Sequence, residues 1–132
     1  MNDRQEIGLP PYAKALGIKV VDIEEGAPIL SVEFGPNVEG RPQHYHGGAT
    51  AGLLENAGYA VLRARLDTEG REVQLKPVNI TVQYLSAGKS CPSFAIGRIT
   101  RLGRRSANIS IEAWQNERSK PIATAVMNIL MR

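Results

Sequence analysis

A chain of 132 residues, 42% hydrophobic and 22% charged, is long enough to bury one core and too short for two, so a single domain over residues 1–132 is expected. No apolar run approaches the roughly 20 residues of a membrane crossing, and the polar start Met1-Asn2-Asp3-Arg4-Gln5-Glu6 is unlike a secretory signal; the reading is a cytoplasmic protein with no membrane partner. A net charge of +3 from scattered basic residues argues against a nucleic-acid partner, and the lone Cys91 excludes an intrachain disulfide and lacks metal-ligand spacing.

In chain order, Pro10-Pro11 opens a short helical segment over Tyr12-Ala13-Lys14-Ala15-Leu16 that Gly17 stops. Residues 18–23 and 27–34 read as two strands of a hairpin joined at Glu24-Glu25-Gly26, since Leu30, Val32 and Phe34 alternate with Ser31 and Glu33. Residues 35–45 carry Pro36, Asn37, Gly40 and Pro42 without periodicity and form a loop. From Gly47 to about Leu66 runs the one long helix, rich in Ala and Leu on nearly every side, which predicts burial all round. Four strands follow. Val78, Ile80, Val82 and Tyr84 alternate with polar residues, residues 94–101 precede a Leu102-Gly103 turn, Ala107, Ile109, Ile111 and Ala113 alternate again, and residues 122–131 close the chain. The order predicts an α+β fold in which one antiparallel sheet of about six strands wraps a central helix.

The feature that carries chemistry lies at the start of that helix, where His46-Gly47-Gly48 precedes a carboxylate, Glu55, set among Ala, Gly and Leu. An ionised glutamate in such company is costly to bury without partners. Its bland alternative is a carboxylate that reaches solvent or pairs with an arginine such as Arg63. Free N–H groups and the positive end of the macrodipole suit a helix start to an oxygen gaining negative charge, and Gly47 and Gly48 leave that end unobstructed. Eight residues of helix put about 12 Å between Gly47 and Glu55, too far for both to serve one carbonyl. Two antiparallel copies of the helix about a twofold axis would bring Gly47 of one opposite Glu55 of the other. His44, His46 and Glu55 carry ligand chemistry, but an H-x-H pair in a loop is not a zincin signature, so no metal is expected.

His46-Gly47-Gly48, the acid eight residues after the first glycine, the strand Val78-Asn79-Ile80-Thr81-Val82-Gln83-Tyr84-Leu85 and the Arg-x-Gly-Arg pattern at Arg101 to Arg104 together resemble the hotdog-fold acyl-CoA thioesterases, in particular their PaaI-like branch. The resemblance runs from about residue 16 to the end. It implies a homodimer, often paired again into a homotetramer, that hydrolyses a coenzyme A thioester with no cofactor beyond the coenzyme A of the substrate itself. By motif position it makes Glu55 general base or nucleophile and the Gly47 N–H the group that polarises the carbonyl, with His46 fixing the loop by hydrogen bonding. Gly48, Asn56 and Gln43 are candidate substrate contacts beside them, and Arg101, Arg104 and Arg105 are candidates for the phosphates of coenzyme A, which guanidinium forks suit. Thr50 and Tyr59 are candidates for the acyl pocket.

Three positions depart from the family pattern. Gly40 stands where many members carry an amide, seven residues before the key glycine, and Tyr59 and Val73 stand where subfamilies place a water-positioning serine or threonine. The missing amide leaves room for a second reading, a hotdog protein that binds acyl-CoA without turnover. A hotdog dehydratase ranks last, because neither the His-Phe-Pro-Gly nor the Asp-x-Asn-Pro-x-His pattern occurs, and a Ser-His-Asp hydrolase lacks its G-x-S-x-G elbow.

Overall fold

The computed structural model describes residues 8–132; the polar start, residues 1–6, lies outside them. A short helix α1 (Pro11–Leu16) has proline in its first turn and ends at Gly17, whose φ of 80° is the left-handed conformation a helix stop requires. The strands β1 (Lys19–Glu24) and β2 (Ala27–Val32) pair antiparallel. Their two-residue turn, Glu25-Gly26, takes φ values of 50° and 83°, the doubly left-handed turn whose twist matches a tight hairpin. The second strand ends two residues before the expected Phe34, whose ring turns edge-on to Tyr45 at 5.3 Å.

The long helix α2 spans Gly47–Thr68, and after it come β3 (Leu75–Tyr84), β4 (Ser93–Leu102), β5 (Ser106–Trp114) and β6 (Ala123–Met131). All six strands form one antiparallel sheet in the order β1-β2-β4-β5-β6-β3. A six-stranded sheet curled around one central helix is the expected α+β hotdog architecture. Alternate residues of the middle strands, among them Ala95, Ile109, Ile111, Ala125 and Met127, point inward onto Leu53, Leu54 and Ala57 of α2 and are all buried.

Two features position the site. The strand β3 follows the helix in sequence yet pairs only with β6, so its ten residues form an edge of the sheet, and Val78 on it is 57% exposed. Pro77 fits such an edge, where a missing ladder N–H costs little, and the register shifts immediately after it. The helix, expected to be buried all round, is open along one stripe: Gly47 and Gly48 are exposed, and Ala51, Glu55, Tyr59 and Arg63, spaced four apart, are half-buried. A single sheet closes around only part of a cylinder, and this side is left over. Among the described residues no helix is long and apolar enough to cross a membrane.

Candidate active site

The segment before α2 is irregular, as expected, but firmly held. The His46 N–H donates to the Val38 carbonyl at 2.7 Å and the Tyr45 N–H to that of Gly88 at 2.9 Å. The Tyr45 side chain is buried, and its hydroxyl reaches the carbonyl of Cys91 at 2.7 Å and that of Val32 at 3.2 Å. Burial holds this phenol above its ordinary pKa, which suits an anchor that keeps its proton. The loop thus enters the helix at a fixed angle, tied to β2 and to the β3–β4 connection.

At the helix start the backbone donors can be accounted for one by one. His46 is the N-cap, and its Nδ1 accepts from the Gly48 N–H at 2.8 Å. Ala49 and Thr50 donate to the His46 carbonyl at 3.0 and 3.2 Å. Of the first four N–H groups, only that of Gly47 has no acceptor among the described residues, and it lies exposed at the positive end of a 22-residue helix. The cap also fixes a tautomer: an accepting Nδ1 carries a lone pair, so a neutral His46 bears its proton on Nε2. His44 is the reverse, its Nδ1 lying 2.9 Å from the Pro42 carbonyl, which can only accept. Among the described residues no three His, Cys, Asp or Glu side chains gather as ligands for one ion.

Glu55 stands two turns further along the open stripe, half-buried, with no hydrogen bond or ion pair among the described residues. Arg63, the partner that the bland reading offered, is engaged elsewhere: it donates to the Val73 carbonyl at 2.8 Å and lies 3.9 Å from Asp67. Val73, one of the departures from the family pattern, therefore contributes its backbone to holding Arg63.

The remaining candidates separate. Asn56 lies off the open stripe: it is 3% exposed, and its amide donates to the Gly52 carbonyl of its own helix at 2.8 Å. One position after Glu55 a side chain is rotated by about 100°, which here turns it into the core. Gln43 is exposed on the loop in a left-handed conformation, φ 67°, with its N–H on the Glu39 carboxylate. Thr50 is buried and Tyr59 half-buried on the open stripe. Arg101, Arg104 and Arg105 are exposed around the β4–β5 turn. Arg71 joins them there, donating to the Arg104 carbonyl at 3.1 Å. This turn lies beside the C-terminal end of α2, since the Arg71 N–H donates to the Leu66 carbonyl, roughly 30 Å from Gly47 by helical rise. A side chain at Gly40 would crowd this loop, because a Cβ there would stand 3.0 Å from the His46 Cα.

Sequence reasoning missed Tyr45, Arg71 and Tyr84, the last of which reaches the Gly47 carbonyl with its hydroxyl at 2.8 Å. The aromatic residue directly before the cap was the one available signal, for Tyr45; the other two contacts cross more than 30 positions of sequence.

A family model described as the thioesterase superfamily matches residues 42–122, well over half of the chain. No curated protein matches. Among solved structures, a protein of Chromobacterium violaceum is 31% identical with a TM-score of 0.75, over 98% of this chain and 92% of that one. A thioesterase of Haemophilus influenzae superposes with a TM-score of 0.85 at 17% identity, over 98% and 87%, and a mutant of the phenylacetic acid degradation protein PaaI from Thermus thermophilus with 0.76 at 20%, over 92% and 98%. The last two likenesses show the fold. The match to the family model takes in the glycine pair, the helix acid and the strands β3, β4 and β5, and on that ground the chain belongs to the thioesterase superfamily.

Proposed function

We propose that the protein hydrolyses a small, medium or aromatic acyl-CoA thioester. The observation that carries this reading is the unsatisfied Gly47 N–H, the one free donor at the start of a helix whose other first-turn donors are occupied. A thioester carbonyl accepting from that N–H would gain negative charge at the positive end of the macrodipole as it is attacked. Glu55, half-buried and unpartnered, is the group to act on water or on the carbonyl itself. About 12 Å of helix separates the two in one chain, so the working site draws Gly47 from one copy and Glu55 from another. The exposed edge of β3 and the open stripe of α2 support an antiparallel homodimer, in which a twofold axis makes two such sites; a homotetramer would pair two dimers. The same axis carries the arginine turn of one chain toward Gly47 of the other, where Arg101, Arg104 and Arg105 would meet the phosphates of coenzyme A.

The test is thiol release from a panel of short, medium and aromatic acyl-CoA esters, with wild type and Glu55→Gln compared at matched oligomeric state. Turnover in the wild type that falls at least about a hundredfold in the variant is expected; turnover undiminished in Glu55→Gln would remove Glu55 from the chemistry. The crowding at Gly40 favours a second reading, an acyl-CoA-binding protein without turnover. Saturable binding with no thiol release on any ester would establish that alternative.

A further inference from the structure

We infer that Tyr84 is a positioning residue for the Gly47 donor, an inference that rests on the thioesterase reading and deepens it. Tyr84 is the last residue of β3 and is 55% exposed in the single chain. Its hydroxyl donates to the Gly47 carbonyl at 2.8 Å. Its ring lies over the same glycine, since a Cβ at Gly47 would stand 3.5 Å from the phenol oxygen and 3.6 and 3.7 Å from two ring carbons.

The carbonyl that Tyr84 holds belongs to the peptide between Gly47 and Gly48, and the N–H of that peptide is held by His46 Nδ1 at 2.8 Å. One peptide plane is therefore gripped at both ends, by a side chain from the loop and a side chain from the far end of the sheet. The free N–H of Gly47 lies on the preceding peptide, whose carbonyl, that of His46, accepts from Ala49 and Thr50; the two held peptides meet at the Gly47 Cα. A glycine hinge has unusually wide φ/ψ freedom, and two glycines in succession offer no side chain to restrict it. Oxyanion stabilisation depends on a donor aimed before charge develops, so that no reorganisation is needed during reaction. Tyr84 adds to that aim from an edge strand, outside the motif that contains the glycines, by fixing the peptide on the other side of the Gly47 Cα.

The test compares wild type, Tyr84→Phe and Tyr84→Leu in two measurements: steady-state thiol release, and amide hydrogen exchange at Gly48 in the free protein by NMR. Tyr84→Phe keeps the ring and loses the hydroxyl. It is expected to lower kcat about tenfold, short of the roughly 10²–10³ that follows loss of a whole oxyanion donor, with KM unchanged and Gly48 exchange several-fold faster. Tyr84→Leu also removes the ring and is expected to show the same kcat loss or a larger one. Unchanged kcat in Tyr84→Phe overturns the inference, as does a rise in KM alone, which would make Tyr84 a substrate contact. A kcat loss with unchanged Gly48 exchange overturns it too. A wild type that releases no thiol sinks the enzyme reading by itself; faster exchange in Tyr84→Phe would then still support the clamp, and unchanged exchange would refute it.

Discussion

Replacing Gly97 with alanine tests whether the helix that carries Glu55 is seated against the sheet as closely as described. Gly97 lies in the middle of β4, and a Cβ there would stand 2.9 Å from the Ala57 carbonyl oxygen, 2.9 Å from Val61 Cγ1 and 3.3 Å from the Gly58 Cα. Ordinary contact begins near 3.4 Å, so the shortfall is about half an ångström. Two of the three obstructing atoms are helix backbone, which cannot rotate aside, so the helix must retreat. Overpacking of this kind costs about 1–3 kcal/mol, against which the reduced freedom of the unfolded chain returns about 0.4–1 kcal/mol. The net expectation is a destabilisation of about 1–2 kcal/mol. For a chain of this length that lowers the melting temperature by about 4–8 °C. Thermal melts should be run at one protomer concentration, since association would shift them by mass action. Gly35→Ala is the control, because nothing lies within 4 Å of a Cβ at Gly35; it should melt at or slightly above wild type. A Gly97→Ala protein as stable as the Gly35→Ala control would refute the close seating.

The cap and one surface cluster give two further expectations. His46→Ala removes the acceptor for the Gly48 N–H and should cost about 1 kcal/mol, whereas His46→Asn, a good cap in its own right, should recover most of it in urea unfolding; equal losses in both variants would mean the imidazole matters for something other than capping. On the outer surface, Arg118 donates to both Glu24 oxygens at 2.8 and 2.6 Å, while its guanidinium stacks 4.7 Å from the Trp114 ring centre. That hydrogen bonding holds the Glu24 carboxyl below its ordinary pKa. The stabilisation is therefore fully present above the ordinary glutamate pKa and is lost as pH falls through the lowered one. Urea midpoints of wild type and Glu24→Gln should differ at neutral pH, by less in high salt, and converge in acid; a gap that ignores pH would refute the pairing.

The fold was legible because its signals are local. Alternation in β3 and β5, turn residues at Glu25-Gly26 and Leu102-Gly103, and the Ala-rich run after His46 each report on a few neighbouring residues. What the sequence concealed depends on distant partners. The placement of β3 at the sheet edge, beside β6 and not beside β2, follows from the helix crossing over, which no local pattern encodes. Gly58 and Gly97 meet across the helix–sheet contact, 39 positions apart, and neither glycine alone announces the other. At the site, the spacing of Gly47 and Glu55 was readable, as was a hydrogen-bonding role for His46, though not that the bond caps the helix. The inward turn of Asn56 was not, because an amide suits a substrate contact and a buried helix bond equally well until the sheet is in place.

The placement of charges along α2 bears on why the proposed site would draw on two copies of the chain. One chain presents a free donor at Gly47, an unpaired acid two turns on at Glu55, and an arginine-rich turn beyond the opposite end of the helix. Separations of about 12 Å and roughly 30 Å leave these groups too far apart to act on one thioester. A 22-residue helix packed into the curl of one sheet does not bend to shorten either distance. An antiparallel twofold mate removes the difficulty without moving any of them, because it reverses the order in which donor, acid and arginines are met along the shared axis. Under that arrangement the half-buried state of Glu55 is what an acid facing a partner helix requires: open enough to meet a substrate held by the other chain, and free of any arginine in its own.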